Sequence, residues 1–473
     1  MSRFPLTFAF ALATALVGHA VRAEEPNSAA PPKPAPSVAP QSPVERALEK
    51  QVSIKLKDTP LKEAAAYLAD ISGVNVLLDS KALANDGIPE DRRMTFELPN
   101  VPFGAALEMM LRDQELSYAI LDGQVLLITT PQAAKEHVIT HVYAAGDLVT
   151  LHDRSNELKH ADVDMDSLID LVTTSCHPTS WSTQGGNGAI TYVSGGLVVS
   201  NRSDVQQEVR GLLDDLRRIR NEDNKDRLPT VLLIGDTPAD AEVRRRLDRR
   251  EDIALENASL EELRSFLKSR GLQTILDQKA INDAGFTADA KFSLKLHDVP
   301  LGFDLRTLLA QHELACYGEA GLLMITSQAA EKDHVQVGVY PVRDLVSEQP
   351  DDTADNFDFD SLIDAITSTV SPTAWGDNGG PGAIGPFSNP PVLVINQSQE
   401  IHHQISDLLE RLRAQKAASA KTAAKSPHPG ESPSVIRVHR VAGADDAALD
   451  QFISVIRALI EPKTWDHGDV YIA

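Results

Sequence analysis

The segment VSIKLKDTPLKEAAAYL at residues 52–68 changes its apolar period in the middle. Up to Leu56, apolar and polar residues alternate, which predicts a strand with one buried face. A helix is predicted to start near Asp58-Thr59-Pro60, because proline is well tolerated in the first helical turn. Four apolar residues then recur on one side at helical spacing: Leu61, Ala64, Ala65 and Leu68.

Similar signals continue after this segment. The runs VNVLL and MTFEL predict two more strands and are followed by a second amphipathic segment. Asp122-Gly123, between two apolar runs, is a strong hairpin signal. Residues 44–135 therefore predict the order βαββαββ, and residues 136–220 predict βαββα. Both orders predict an α+β fold, with helices packed on small mixed sheets.

The chain repeats itself over most of its length. DSLIDLVTTSCHPTSW at 166–181 and DSLIDAITSTVSPTAW at 360–375 are nearly the same sequence, and flanking segments match in the same order. A third, partial copy is predicted where DQFISVIRALIEPKTW, at 450–465, aligns with this segment. We therefore predict small modules used in tandem.

The repeat and the polar breaks between its parts define a domain organisation. The predicted divisions are a signal peptide (1–23), a Pro/Ala-rich linker (24–43), module 1 (44–135), module 2 (136–220), a linker (221–237), module 3 (238–332), module 4 (333–414), an Ala/Lys/Pro-rich linker (415–433) and the partial copy (434–473).

The first residues have the features of a secretory signal. Arg3 supplies the positive charge, residues 4–17 form an apolar core, and cleavage is predicted after Ala23. No later stretch is long and apolar enough to predict a transmembrane helix. We expect an exported protein in the periplasm or cell envelope.

Composition excludes several classes of function. The 473 residues contain 68 Asp plus Glu against 45 Lys plus Arg, a formal charge of -23 that argues against nucleic-acid binding. The only two cysteines, Cys176 and Cys316, rule out a disulfide-dense scaffold and multi-cysteine metal sites. Small apolar residues replace them in the other copy, which predicts core thiols, and a disulfide between them stays open.

The modules resemble those of a known family. The first, through VSIKLKDTPLKEAAAYLADISGVNVLLD, is similar to the short N-terminal domain of secretins and TonB-dependent receptors. The second, through GGLVVSNRSDVQQEVRGLLDDL, resembles the secretin N-domain that follows it. The resemblance implies periplasmic modules that build rings and dock partners. No strand-rich region typical of the secretin pore follows, so we expect no pore.

All three tryptophans occupy one position of the repeat. Trp181, Trp375 and Trp465 each stand three residues after a proline. The favoured interpretation is a side chain that anchors the end of a helix against the sheet, because Trp is usually highly buried. The alternative is an aromatic surface for a ligand or a partner.

Glycine-rich loops follow the first two tryptophans. Gly185-Gly186 and Gly379-Gly380 suggest a phosphate-binding loop, but each loop leads into a strand rather than a helix and has no Lys. We expect connecting loops.

Helix caps are predicted just before the repeated helix. Ser167-x-x-Asp170 and Ser361-x-x-Asp364 fit a capping box, with Asp in the usual Glu position. The acidic residues preceding Ser167 leave weak calcium binding open, although the glycine and glutamate of an EF-hand are missing.

The histidines do not suggest a catalytic site. His402-His403 stands where the first copy has Gln206-Gln207, so this pair is not part of the repeated design. We expect solvated or strand-edge histidines.

The sequence therefore favours an exported, non-enzymatic scaffold or protein-binding protein without cofactor or metal. Its partners would be envelope proteins, such as those of a secretion complex, or further copies of itself. The alternative is a binder of cell-envelope polymer such as peptidoglycan, or an envelope hydrolase, that uses the Trp/Gly loops.

Overall fold

The computed structural model describes residues 41–149, 165–194, 196–222, 229–286, 290–346 and 357–424, which form helices and several small sheets. The predicted signal peptide, the partial copy and nearly all of the 24–43 linker lie outside these residues. The chain divides into two compact units, Met1–Ala414 and Gln415–Ala473, and the modules described here belong to the first. The α+β fold class is confirmed.

Module 1 has the predicted strand and helix order with three added short helices. Its strands form two sheets rather than one: a bulged antiparallel ribbon, β1–β3, and a mixed sheet in the order β2-β5-β4. The elements are α1 (Pro43–Leu48), β1 (Gln51–Pro60), α2 (Leu61–Ser72), β2 (Asn75–Leu78), α3 (Ser80–Asn85), β3 (Arg93–Pro102), α4 (Phe103–Asp113), β4 (Ser117–Leu121), β5 (Val125–Thr129) and α5 (Pro131–Ala134).

Local backbone geometry explains the confirmed hairpin and helix entry of module 1. Asp122 and Gly123 both have positive φ, of 48° and 67°, in the turn between β4 and β5. Pro60 ends β1 and precedes α2, whose last turn closes on left-handed Gly73.

Module 2 folds into an antiparallel sheet with the order β6-β8-β7. The mixed sheet that we predicted is therefore wrong for this module, because its helices do not connect parallel neighbours. Two short 3₁₀ turns lie in the Trp/Gly loop. The elements are β6 (Ile139–Ala144), α6 (Gly146–Val149), α7 (Met165–Ser175), β7 (Ala189–Val193), β8 (Gly196–Asn201) and α8 (Ser203–Glu222).

Module 3 repeats the pairing pattern of module 1, as ribbon β10–β12 and sheet β11-β14-β13. The predicted linker before it is wrong for residues 229–237, which contain a strand of the module 4 sheet. The elements are β9 (Leu232–Leu233), α9 (Pro238–Leu247), β10 (Arg250–Ala258), α10 (Leu260–Ser269), β11 (Thr274–Leu276), α11 (Gln278–Asp283), β12 (Phe292–Pro300), α12 (Leu301–Ala310), β13 (Leu314–Glu319), β14 (Leu322–Ser327) and α13 (Gln328–Asp333).

Module 4 forms a four-stranded antiparallel sheet in the order β16-β17-β15-β9. Its last helix continues to Ala424, so the first part of the predicted 415–433 linker is helical instead. The elements are β15 (Val335–Pro341), α14 (Asp360–Thr369), β16 (Ala383–Ser388), β17 (Pro391–Ser398) and α15 (Gln399–Ala424).

The helices of module 2 pack on the sheet of module 4. The core of module 2 includes side chains from one face of the module 4 sheet, among them Val337, Val339 and Val394. Helices α7 and α8 therefore lie between two sheets. As a result β17 is buried along its whole length, with α14 and α15 packed on its other face.

Modules 1 and 3 also pack together, since Tyr317, Leu322 and Met324 join the core of module 1. Ion pairs span this contact, between Lys279 and Glu115 and, at 3.8 Å, between Arg112 and Glu319. In the described part of the chain no helix is both long and apolar enough to cross a membrane.

Candidate functional site

The two described tryptophans are buried in the cores of their modules. Trp181 and Trp375 are 1% and 3% exposed. Each indole Nε1–H donates to a carbonyl five residues earlier, of Cys176 at 2.8 Å and of Val370 at 2.9 Å. A buried ring offers no face to a ligand. Trp465 lies outside the described residues.

The glycine loops fold back on the chain beside these tryptophans. Gly185 and Gly379 have φ of +86° and +83°. A Cβ at Gly186 would stand 2.1 Å from the carbonyl oxygen of Ser180, and Gly380 is equally close to Ala374. The N–H of Gly186 donates to Trp181 at 2.9 Å instead of pointing outward. These glycines permit a tight turn, and their amides do not form a phosphate cradle.

The predicted capping boxes are not formed. Helix α14 begins at Asp360, which places Ser361 in its first turn. The N–H and Oγ–H of Ser361 donate to Asp358, at 3.2 and 2.9 Å, so Asp358 accepts there in place of Asp364.

The first copy differs from the prediction in the same way. Ser167 and Asp170 both lie inside α7, which is described from Met165, so Ser167 is not its N-cap residue. The acidic residues before Met165 lie outside the described residues. Within those residues no group of three or more His, Cys, Asp or Glu is placed to hold a metal ion.

Both thiols are free, and Cys176 is buried whereas Cys316 is half-buried. Cys176 is fully buried, and burial raises its pKa well above the usual value. Burial raises the pKa of Cys316 to about 12.

His402 contradicts the expectation of a solvated histidine. It is buried, its Nδ1 lies 2.7 Å from the hydroxyl of Tyr340, and its Nε2 lies 2.7 Å from the carbonyl of Gln336. The carbonyl can only accept, so Nε2 carries the proton and Nδ1 accepts from Tyr340. Burial lowers the pKa of His402 to about 4.

The first copy makes the same contacts with glutamine. Gln206 accepts from Tyr143 at 2.7 Å and donates to the carbonyl of Ile139 at 2.8 Å. Since a neutral amide and a neutral imidazole fill the same place, His402 is a buried polar bridge and not a catalytic base.

Sequence reasoning also missed a carboxyl–imidazole contact. Glu208 Oε1 lies 3.3 Å from His177 Nε2, and burial raises the pKa of Glu208 to about 7. In the second copy Ser371 and Gln404 meet at the matching place, at 3.4 Å. A neutral polar pair replaces the ionisable pair, which favours a structural contact.

The surface that stands out is one face of the module 2 sheet, here called the open face. Val142, Val198 and Thr191 form its central row, flanked by Val193 on β7 and Thr140 on β6. Val142 and Val193 are 58% and 64% exposed. None of the residues in the cross-strand rows of this face is charged. The rows consist of Thr140, Ala144, Val142, Ala189, Thr191, Val193, Gly196, Val198 and Ser200.

The matching face of the module 4 sheet is covered. Val339, Val394 and Gly385 form its central row, and both valines are 0% exposed. A Cβ on Gly385 would stand 3.4 Å from Leu171 of α7, so this helix lies directly on the row. The face that α7 covers in module 4 is therefore exposed at Val142 and Val193 in module 2.

Comparison with known proteins gives distant similarities. No protein-family profile matches the chain. No curated protein matches it either. The pilus secretin PilQ of V. cholerae is 17% identical, with a TM-score of 0.14, over 35% of this chain and 38% of that one.

Two other solved structures are similar at the same level. The GspC–GspD complex of the enterotoxigenic Escherichia coli type II secretion system is 11% identical, with a TM-score of 0.13, over 36% of this chain and 99% of that one. The N-terminal domain of the secretin XcpQ from Pseudomonas aeruginosa is 13% identical, with a TM-score of 0.13, over 47% and 81%. Similarity at this level does not extend to function.

Proposed function

We propose that this chain is an exported, non-enzymatic scaffold built from two tandem pairs of modules, and that it binds a partner protein through the open face of module 2. The proposal rests on one observation. The row of residues around Val142 is exposed, whereas the corresponding row around Val339 is buried. The same kind of sheet face is covered by helices in one module and open in the other.

The covered face indicates what kind of partner fits. Leu171 of α7 lies over Gly385, and Gly211 lets α8 approach Ile234 closely. The open face is uncharged and rich in β-branched residues, so the complementary surface is the apolar side of an amphipathic helix. A small residue at the crossing point would allow the same close approach.

A second copy of this chain is a poorer partner than another envelope protein. Its outer helices, α14 and α15, have Ala365 where α7 has Leu171, and Asp407 where α8 has Gly211. The first difference removes an apolar contact, and the second places a charge where close packing is needed. We therefore assign the open face to a helical partner of different sequence.

The alternative of polymer binding has less support. It requires an exposed aromatic platform in the Trp/Gly loops, and the rings of Trp181 and Trp375 are buried. The predicted signal peptide and the resemblance to secretin N-domains support an envelope location for the scaffold.

Capture from an envelope fraction tests the proposal. The bait is the processed chain, and the variants are Val142→Asp and Val193→Asp. The control is Leu77→Asp, because Leu77 on β2 is 53% exposed but lies in module 1. We expect both open-face variants to lose a captured protein that the wild type and Leu77→Asp retain.

Equal capture by all four proteins would contradict the proposal. Light scattering of the purified chain measures its molar mass and so shows whether it associates with itself. Self-association that Val142→Asp abolishes and Leu77→Asp preserves would assign the face to a second copy and overturn the choice of a different partner.

A further inference from the structure

The two antiparallel sheets differ at one edge. In module 4, β15 pairs with β17 on one side and with the short strand β9 on the other. Leu232 and Leu233 lie opposite Val339 and Gly338, and the N–H of Ile234 donates to the carbonyl of Val337 at 2.9 Å. In module 2, β6 pairs with β8, and its other edge has no partner strand among the described residues.

A groove of about 600 Å³ runs along this edge of β6. Its walls are β6 itself, from Ile139 to His141, the turn at Asp122-Gly123, and Ser42 before α1. The carbonyl of Val337 points toward β9, and the carbonyl and N–H of one residue point to the same edge of a strand. The matching residue of β6 is Thr140, so Thr140 and Val142 direct their backbone groups into the groove.

Modules 1 and 3 begin with the same kind of helix N-terminus. Ser42 and Thr237 are the N-cap residues of α1 and α9, each with a complete capping box and each followed by proline. A Cβ at Gly123 would stand 2.6 Å from Ser42, and one at Gly321 2.7 Å from Ala239. The start of each helix is therefore fixed against the hairpin of its module.

The sequence before these caps aligns without a gap. KPAPSVAPQSP at 33–43 stands where LPTVLLIGDTP stands at 228–238. Residues 33–40 lie outside the described part of the chain. In this alignment Ser37 and Ala39 match Leu232 and Ile234, whose backbone groups pair with β15.

The prolines of this segment are spaced as an edge strand requires. Pro36 and Pro40 match Val231 and Gly235, which alternate with the pairing residues and so direct their backbone away from β15. Proline is tolerated in an edge strand where its missing N–H would face away from the sheet. The positions that must donate, 37 and 39, are not proline.

We propose that the groove beside β6 is a strand-addition site and that its occupant is Pro36–Ala39 of the same chain, in the register that β9 has on β15. The segment after the predicted signal peptide is then more than a tether. It covers the exposed edge of a strand, which would otherwise be open to pairing with another chain.

Amide hydrogen exchange of the full processed chain tests this proposal. The reporter is Val142, whose counterpart Val339 lies opposite Leu232, and Tyr143, which pairs with β8, is the internal reference. Ala39→Pro removes the N–H that would donate to the carbonyl of Thr140, as Ile234 donates to Val337. Val38→Pro is the matched control, because the N–H of residue 38 would face away. We expect slow exchange at Val142 in the wild type and in Val38→Pro. In Ala39→Pro the amide of Val142 should exchange at least tenfold faster, and that of Tyr143 should be unchanged.

Two results would overturn the proposal. Exchange of Val142 in the wild type at the rate of an exposed amide would show that the groove is empty. Slow exchange that persists in Ala39→Pro would show that another chain occupies the groove. Neither result depends on the open face, so the proposal can fail independently of the proposed function.

Discussion

Gly211 of α8 lies against Ile234, so closely that a Cβ on the glycine would stand 2.5 Å from Cγ2 of the isoleucine. The contact joins the last helix of module 2 to residues just after β9, on the sheet of module 4. A glycine inside a helix costs about 1 kcal/mol relative to alanine, so its presence here is explained by the close approach. The stacking of the two modules therefore depends on this position.

Gly211→Ala should destabilise the chain although alanine is the better helix former. The new methyl group overlaps with Ile234, and overpacking of this kind costs about 1–3 kcal/mol. Gly104→Ala in α4 is the control, because its Cβ would meet Leu48 at an ordinary 3.4 Å. Urea denaturation of both variants measures the difference. A Gly211→Ala protein as stable as Gly104→Ala would contradict the packing described.

Trp375→Ala should lower the free energy of unfolding by about 3–5 kcal/mol, as expected for a buried aromatic side chain. Trp375→Phe keeps most of the ring and loses the donor to Val370, so its effect should be smaller. Thermal denaturation checks the order. An unchanged melting temperature of the alanine variant would show that the indole does not support the fold.

His402→Gln should remove one source of acid sensitivity. The folded pKa of His402 is about 4, below its ordinary 6.5, so the folded state binds this proton less well than the unfolded state. The stability that it contributes is full above pH 6.5 and is lost as the pH falls toward 4, by about 3 kcal/mol. Glutamine already fills the matching position of module 2.

The slope of the free energy of unfolding between pH 6.5 and 4 measures this effect. The wild type should lose more stability than His402→Gln over that range. His403→Gln is the control, because His403 is exposed. Equal slopes for the wild type and His402→Gln would contradict the buried neutral imidazole.

Local patterns predicted the order of strands and helices well. Alternation up to Leu56, proline at 60 and the Asp122-Gly123 turn are short-range signals, and the structure has a strand, a helix entry and a turn there. Tryptophan burial could be favoured because bulky apolar side chains at the end of a helix need a core.

Contacts between modules could not be predicted in the same way. Nothing in the sequence of α7 shows that its two faces lie on two different sheets, since any helix between two layers is simply rich in apolar residues. In the sequence His402 cannot be told from a surface histidine. Only the structure shows that its two ring nitrogens contact Tyr340 and Gln336. The strand β9 is so short that only its pairing with β15 reveals it.

The open face is the part of the candidate site that could be identified only from the structure. Val142 and Val339 have the same place in the repeat, and the sequence does not show that one is exposed and the other buried. The difference arises because α7 and α8 cover the second sheet, whereas no pair of helices among the described residues covers the same face of the first.

Site-specific photo-crosslinking in the native envelope tests the central claim most directly. A photoreactive side chain is introduced at 142, at 193 or, as control, at 77, and adducts are identified by mass spectrometry. The account predicts that positions 142 and 193 form an adduct with the same second protein and that position 77 does not. Absence of that adduct at both open-face positions, or an equal yield at position 77, would contradict it.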